Sequence, residues 1–253
     1  MTEAKTTTHR VTFAGSGDAF GSGGRLNTCF VVEGPGKTVA IDFGASSLIA
    51  LNKAGIAHRD IDAVILSHIH GDHSAGIPFM LVDAMLGARR EKPLTIAGPY
   101  DTKARLAEAM EVLFPGSHVM TPKFPVTYVE MELMRENAVM EGVTCTPYPA
   151  QHPGATNPTS LRATIEGKVI AYTGDTAWTE HLPAVATGAD LFIAECYFHS
   201  KAVKFHLNYP DLMEHRDDLT AKRMILTHMG PEMLAQADAV PEETAYDGLV
   251  VEI

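Results

Sequence analysis

The stretch His68-Ile69-His70-Gly71-Asp72-His73 follows directly on the apolar run Ala63-Val64-Ile65-Leu66. Three imidazoles and a carboxylate within six residues are the donor set preferred by zinc and its first-row neighbours. A lone histidine reads as a surface or hydrogen-bonded core residue, but four ligand-type side chains in six positions read as a metal site. The apolar run predicts a buried strand ending at Ser67, which delivers the cluster to one edge of a sheet. A tight turn at Gly71 then lets side chains of opposite parity converge.

Four donors this close cannot all enclose one ion, so the cluster predicts a two-metal site completed from distant segments. Three downstream residues stand in matching settings, each at the end of an apolar run and beside glycine or proline. They are His152 in Gln151-His152-Pro153-Gly154, Asp175 in Thr173-Gly174-Asp175-Thr176, and His228 in Leu226-Thr227-His228-Met229-Gly230. Singly, each reads equally well as a strand-end residue capping a turn. Together with the first cluster they read as ligands.

In that order the residues resemble the signature of the metallo-β-lactamase superfamily: H-x-H-x-D-H, a lone His, an Asp after T-G, and a last His. Within it, Gly15-Ser16-Gly17-Asp18-Ala19-Phe20-Gly21 with Asn27-Thr28-Cys29-Phe30 is similar to the opening of the RNase Z and phosphodiesterase branch. So are Ile41-Asp42-Phe43-Gly44, the segment from Ala189 to Cys196, and Leu226-Thr227-His228. The resemblance covers nearly the whole chain. It implies an α/β fold, the αββα sandwich, with two mixed β-sheets flanked by helices.

The elements fit that expectation. Val11–Phe13, Cys29–Val32 and Val39–Ile41 predict strands, broken by Gly-Pro-Gly at 34–36. Ser46–Ala54 predicts a helix with Gly55 at its exit, and Ile77–Leu86 and Asp101–Phe114 predict two more. Further strands are expected near Val126–Val129, Val143–Thr146, Leu161–Ile165 and Val169–Tyr172, with Glu166-Gly167-Lys168 as a hairpin turn. Helices around His181–Ala186 and Leu212–Leu219 precede strands at Leu191–Ala194 and Met224–Leu226. Without a repeat or linker, residues 1–253 read as one domain.

Composition bounds the rest. Of the 253 residues, 45% are hydrophobic and 20% charged, which is ordinary for a soluble globular chain. Cys29, Cys145 and Cys196 are scattered and odd in number, so no disulfide framework is implied. The polar opening Met1–Thr8 lacks the apolar core of a targeting peptide, and no run reaches membrane-spanning length. A cytoplasmic protein without a membrane partner is expected; the assembly, if any, is a homodimer. A net charge of −11 argues against a nucleic-acid partner, which needs basic surface. Arg89-Arg90 and Lys201 with Lys204 are local exceptions that read as solvated faces.

Carried over residue by residue, the resemblance implies one metal on His68, His70 and His152. A second would sit on Asp72, His73 and His228, with Asp175 bridging both. Zinc is the expected pair of divalent ions, with manganese or iron as alternatives. Two such cations flanking one water lower its pKa from about 15.7 to about 7 and clamp a phosphoryl group. The implied catalytic residues are Asp72, His206 and Glu195. His206, in Phe205-His206-Leu207-Asn208, is similar to the branch histidine that contacts the scissile phosphate, and Glu195 to its acidic partner. A carboxylate beside imidazole favours imidazolium, a general acid or charge stabiliser. Asn208 departs from the hydroxyl residue of the branch. Asp42 reads as orienting a ligand imidazole or capping a turn. His9, His58, His118, His181, His199 and His215 match no motif position, and Trp178 reads as packing.

Full tRNA-processing members carry a long Gly- and Pro-rich arm between the lone His and the bridging Asp. Here the interval from His152 to Asp175 holds little more than a turn and a hairpin. The resemblance therefore implies a dinuclear metal-dependent phosphodiesterase for small cyclic or aryl phosphodiesters, acting through metal-bound hydroxide. A lactone, ester or thioester hydrolase is the first alternative. A tRNA 3′-processing endonuclease or a non-catalytic metal-binding scaffold stands further back.

Overall fold

The computed structural model describes residues 8–253; of the polar opening discussed above, Met1 to Thr7 lie outside the described residues. Among these residues, two seven-stranded mixed sheets pack face to face. The first holds β1 (Arg10–Gly15), β2 (Cys29–Glu33), β3 (Thr38–Ile41), β4 (Ala63–Ile65), β5 (Leu94–Gly98) and β6 (Val126–Glu130). The second holds β7 (Asn137–Met140), β8 (Val143–Pro149), β9 (Thr159–Ile165), β10 (Lys168–Tyr172), β11 (Leu191–Glu195), β12 (Met224–Thr227) and β13 (Glu243–Thr244). The final strand, β14 (Leu249–Glu252), crosses back to the first sheet and pairs antiparallel with β1, Val251 opposite Val11.

Period-two alternation explains the layers, because both faces of each central strand are apolar. Phe30 and Val32 point between the sheets with Val39, Ile41, Ala63 and Ile65, meeting Ile170, Tyr172, Ile193 and Ile225 of the second sheet. The intervening Val31, Ala40 and Val64 point outward to a second core, closed by α1 (Ser47–Ala54), α3 (Gly76–Leu86) and α4 (Thr102–Leu113). Across the molecule Ala171, Phe192, Ala194 and Leu226 face α5 (Leu182–Ala186), α6 (Tyr209–Glu214) and α7 (Pro231–Leu234). The expected αββα sandwich is the result. Each fully buried side chain the size of Phe30 or Ile41 contributes about 1.5–3 kcal/mol relative to exposure.

Local punctuation follows the sequence closely. Gly55 ends α1 in the left-handed region at φ 71°, its N–H turned back on the last helical carbonyls. Glu166 and Gly167, at φ 46° and 87°, make the two-residue hairpin between β9 and β10. The helix expected at Leu212–Leu219 instead begins earlier and breaks. Asn208 caps α6, accepting from the Asp211 N–H at 3.0 Å, and a 3-10 turn at Arg216–Asp218 follows. Strands β5, β7, β13 and β14 are additional to those the sequence pattern predicts.

Arg90 is a further correction. It is buried rather than a solvated charge, its guanidinium donating to the carbonyls of His58, Arg59, Ile61, Lys92 and Pro93. All three cysteines are buried free thiols, and burial pushes Cys29 and Cys145 up to about 12. Among the described residues, no helix is long and apolar enough to cross a membrane.

Candidate metal centre

Strands β3, β4 and β5 run parallel in one sheet, and β10, β11 and β12 run parallel in the other. The residues just past their carboxyl ends meet at a shared rim, the usual place for a site in α/β sheets. Asp42 follows β3, His68 lies three residues past β4, Asp175 three past β10, Glu195 ends β11, and His228 follows β12. Past His70 the chain turns through the single helical turn α2 (Gly71–Ser74), which brings Asp72 and His73 back toward His68. That turn is clamped by Phe43 N–H on the His73 carbonyl at 2.6 Å and Ala45 N–H on the Gly71 carbonyl at 3.2 Å. Gly44 lies so close that a Cβ there would fall 2.0 Å from the Asp72 carbonyl oxygen.

The seven expected ligands converge as two groups. His70 Nδ1 lies 3.1 Å from His68 Nε2 and 3.0 Å from His152 Nε2. In the second group His73 Nε2 is 3.2 Å from Asp72 Oδ2 and 3.3 Å from Asp175 Oδ1. His228 Nε2 is 3.4 Å and 3.5 Å from the same two oxygens. Bonds of about 2.0–2.1 Å to a tetrahedral ion would set donors roughly 3.3 Å apart. Asp175 spans the groups. Its Oδ2 faces His68 and His152 at 4.0 Å and 3.9 Å, while Oδ1 faces the other pair.

The donor atoms themselves test whether metal fits. His73 Nε2 and Asp175 Oδ1 are buried without a hydrogen-bond partner, and such atoms are costly to leave unsatisfied. One lone pair on His70 Nδ1 cannot serve two imidazole donors, whereas a cation satisfies all three nitrogens at once. Burial, then the neighbouring His73, holds His68 well below the usual imidazole range; burial holds His152 at about 4. These rings are neutral and present lone pairs. Burial opposes charge on His73 and His228 too, but there the carboxylates win, led in both by Asp175. They hold His73 well above its ordinary range and raise His228 to about 9. That half of the pocket calls for positive charge. The buried clusters fit a dinuclear metal site.

Outer hydrogen bonds fix which ring nitrogen faces inward. Asp42, left-handed at φ 56°, accepts from His73 Nδ1 at 2.6 Å, from the Ser67 N–H at 2.7 Å and from Ser67 Oγ at 2.7 Å. Ser67 Oγ in turn lies 3.0 Å from His68 Nδ1. One carboxylate thus orients a histidine of each group, directly and through a hydroxyl. His152 Nδ1 donates to the Phe205 carbonyl at 3.0 Å, and Phe205 adopts φ 76° to present it. Ser67 and the Phe205 carbonyl were not foreseen, since neither carries a sequence signal apart from its neighbours.

His206 Nδ1 is hydrogen-bonded to Glu195 Oε1. Glu195 is fully buried, and its Oε2 accepts from the Thr176 N–H at 2.8 Å and the Leu207 N–H at 3.4 Å. Burial, with Asp175 nearby, pushes Glu195 up; Glu195 pushes His206 up against the opposing effect of burial. The pair therefore holds a proton well. The Asn208 side chain is spent capping α6, donating to Asp211 Oδ2 and accepting from the Asp211 N–H.

Residues 9–250 match the family described as anti-Pycsar protein Apyc1. The chain belongs to that family. It is also 25% identical to a ribonuclease Z of Agathobacter rectalis, over 86% of each chain. Among solved structures it resembles the metallo-β-lactamase fold protein YhfI of Bacillus subtilis, with TM-score 0.78 and 20% identity over 98% of this chain and 100% of that one. A diphosphatase of the PhnP family aligns with TM-score 0.77 and 19% identity, over 97% and 98%. The protein is a metal-dependent hydrolase of the metallo-β-lactamase superfamily, near the ribonuclease Z and phosphodiesterase branch.

A cavity of about 530 Å³ opens on the centre, lined by His70, Asp72, His152, Asp175, His206 and His228 together with Phe20, Tyr197, Phe198 and Val203. Trp178 is not in its wall; it stacks on His215 with centroids 3.8 Å apart. His199 stacks on Tyr209, His9 bonds the Ile165 carbonyl, and His58 pairs with Asp83. The aromatic wall was missed, since single aromatics in a sequence read as packing.

Proposed function

We propose that this protein is a phosphodiesterase for small cyclic or aryl phosphodiesters. His68, His70 and His152 would hold one divalent ion, Asp72, His73 and His228 the other, with Asp175 between them. Zinc is the first candidate for both ions. When bound, such a pair lowers the pKa of a shared water toward neutrality and polarises a phosphoryl oxygen. The observation that carries the reading is His206, which lines the same cavity as Asp175 and is hydrogen-bonded to the buried Glu195. With Nδ1 engaged by Glu195, His206 has Nε2 left to donate a proton to the departing alkoxide oxygen as the P–O bond breaks.

Charge supports an anionic substrate of modest size. Two divalent ions against Asp72 and Asp175 leave a positive surplus, which attracts a phosphodiester and is indifferent to a neutral lactone. The surface offers a large RNA little, with a chain charge of −11 and no Lys or Arg among the described cavity-lining residues. Between His152 and Asp175 lie only the 3-10 turn Gly154–Thr156 and the β9–β10 hairpin, with no arm to grip tRNA. Three free thiols suit a reducing cytoplasm.

The test compares specific activity on a nitrophenyl phosphodiester, a cyclic nucleotide, a lactone, a thioester and a precursor tRNA under one metal condition. Cleavage of the first two is expected. Fast lactone or thioester opening with inert phosphodiesters, or robust cleavage of the tRNA 3′ trailer, overturns the reading.

A further inference from the structure

Phe20 is 82% exposed, and none of the described large apolar side chains is more so. An aromatic ring left in water calls for a reason. Its backbone is not loose. The buried carboxylate of Asp18 accepts from the Phe20 N–H at 3.1 Å and the Ser22 N–H at 2.9 Å through one oxygen, and from Ser22 Oγ at 2.6 Å through the other. Asn27 Nδ2 holds the Asp18 carbonyl at 3.0 Å, and Gly21 completes the turn at φ 67°. The turn is fixed while the ring projects into the mouth of the cavity.

Tyr197 lines the same cavity on another side. Burial, then Asp18, pushes that phenol up to about 12, so it remains a neutral donor. The Tyr197 ring lies 4.8 Å from Phe198 and 4.9 Å from His206, centroid to centroid. One buried carboxylate therefore fixes the turn that carries Phe20, and Phe20 and Tyr197 line one cavity beside the metal-ligand clusters. Ala19 and Val203 add apolar surface to the same cavity.

We infer that Phe20 is a specificity-determining residue: its ring packs on a planar ring borne by the phosphoryl compound, while the phosphoryl group engages the metal-ligand clusters. The preference is for a phosphate ester whose organic group carries an aromatic ring over one whose group is alkyl, through stacking and apolar contact. The inference rests on the phosphodiesterase reading for its reaction, and on the cavity alone for its binding.

The experiment uses calorimetric binding of phenyl phosphate and of ethyl phosphate to the metal-loaded protein. The wild type is expected to favour phenyl phosphate about 5- to 10-fold. Phe20→Ala should bring the ratio near one with metal content intact, and Phe20→Trp should keep it. A parallel arm compares kcat/KM for a nucleoside cyclic phosphate and its base-free methyl riboside analogue, where the same collapse of the ratio should fall on KM. An unchanged phenyl-to-ethyl ratio in Phe20→Ala overturns the inference, as does an equal loss of both affinities. If neither diester turns over but the binding ratio depends on Phe20, the ring site stands and the proposed reaction fails.

Discussion

The carboxylate of Asp42 lies 2.6 Å from His73 Nδ1, and neither residue is exposed to solvent. It also reaches His68 through Ser67, so one side chain fixes an imidazole in each half of the centre. Removing it frees two rings at once and leaves a buried N–H without an acceptor. Asp42→Ala should therefore weaken metal affinity about 10- to 100-fold, measured by competition with a chelator. Ser67→Ala should weaken only the half containing His68. Equal affinity in Asp42→Ala and wild type would dismiss the orienting role.

Asp175 presents one oxygen to each group. Asp175→Ala should abolish the coupling between the two ions, so that stoichiometry falls below two and loading becomes stepwise. His9→Ala removes a bond to the Ile165 carbonyl and should leave metal content unchanged. Elemental analysis after reconstitution decides it.

His206→Ala should lower turnover of diesters with poor leaving groups about 10²- to 10⁴-fold without loss of metal. The deficit should shrink for nitrophenolate, which departs without a proton; an equal deficit for both would leave only phosphate binding to His206.

Glu195 raises the pKa of His206, and the protonated ring is the donor. Activity should therefore be present below that raised pKa and fall as pH increases through it. Glu195→Gln removes the charge that raises it, so the alkaline limb should move to lower pH. A limb that stays in place in the pH–rate profile would contradict the pairing.

A methyl on Gly44 would strike backbone that cannot swing aside. Gly44→Ala should displace the Gly71–Ser74 turn, lowering both Tm and metal stoichiometry by more than any single ligand substitution lowers Tm. The burial of Cys29, Cys145 and Cys196 makes a simpler expectation: a thiol reagent at pH 8 should label none in the native protein and all three after denaturation.

Much of the fold was legible because apolar periodicity and glycine punctuation agreed, as at Gly55 and in the Glu166-Gly167 hairpin. Strand β14 was not, since Leu249–Glu252 finds its partner at Arg10–Phe13, far away in sequence. Strands β7 and β13 are short, and pairing with neighbours rather than their own pattern makes them strands. At the site, the ligand-type residues carried a signal because their chemistry is rare at such spacing. Ser67 and the Phe205 carbonyl act through hydrogen bonds to groups distant in the chain, and Phe20 through exposure, which no local pattern encodes. Arg90 was misread for the same reason: its carbonyl cage is assembled by tertiary structure.

The pairing of β14 with β1 also orders events in time. As the chain leaves the ribosome, β1 emerges long before β14, with one edge of its backbone unsatisfied until Leu249–Glu252 arrives. A contact of such long range slows folding and leaves an open strand edge exposed meanwhile. A nascent chain that stalls before β14 keeps that edge of β1 open to pairing with another chain.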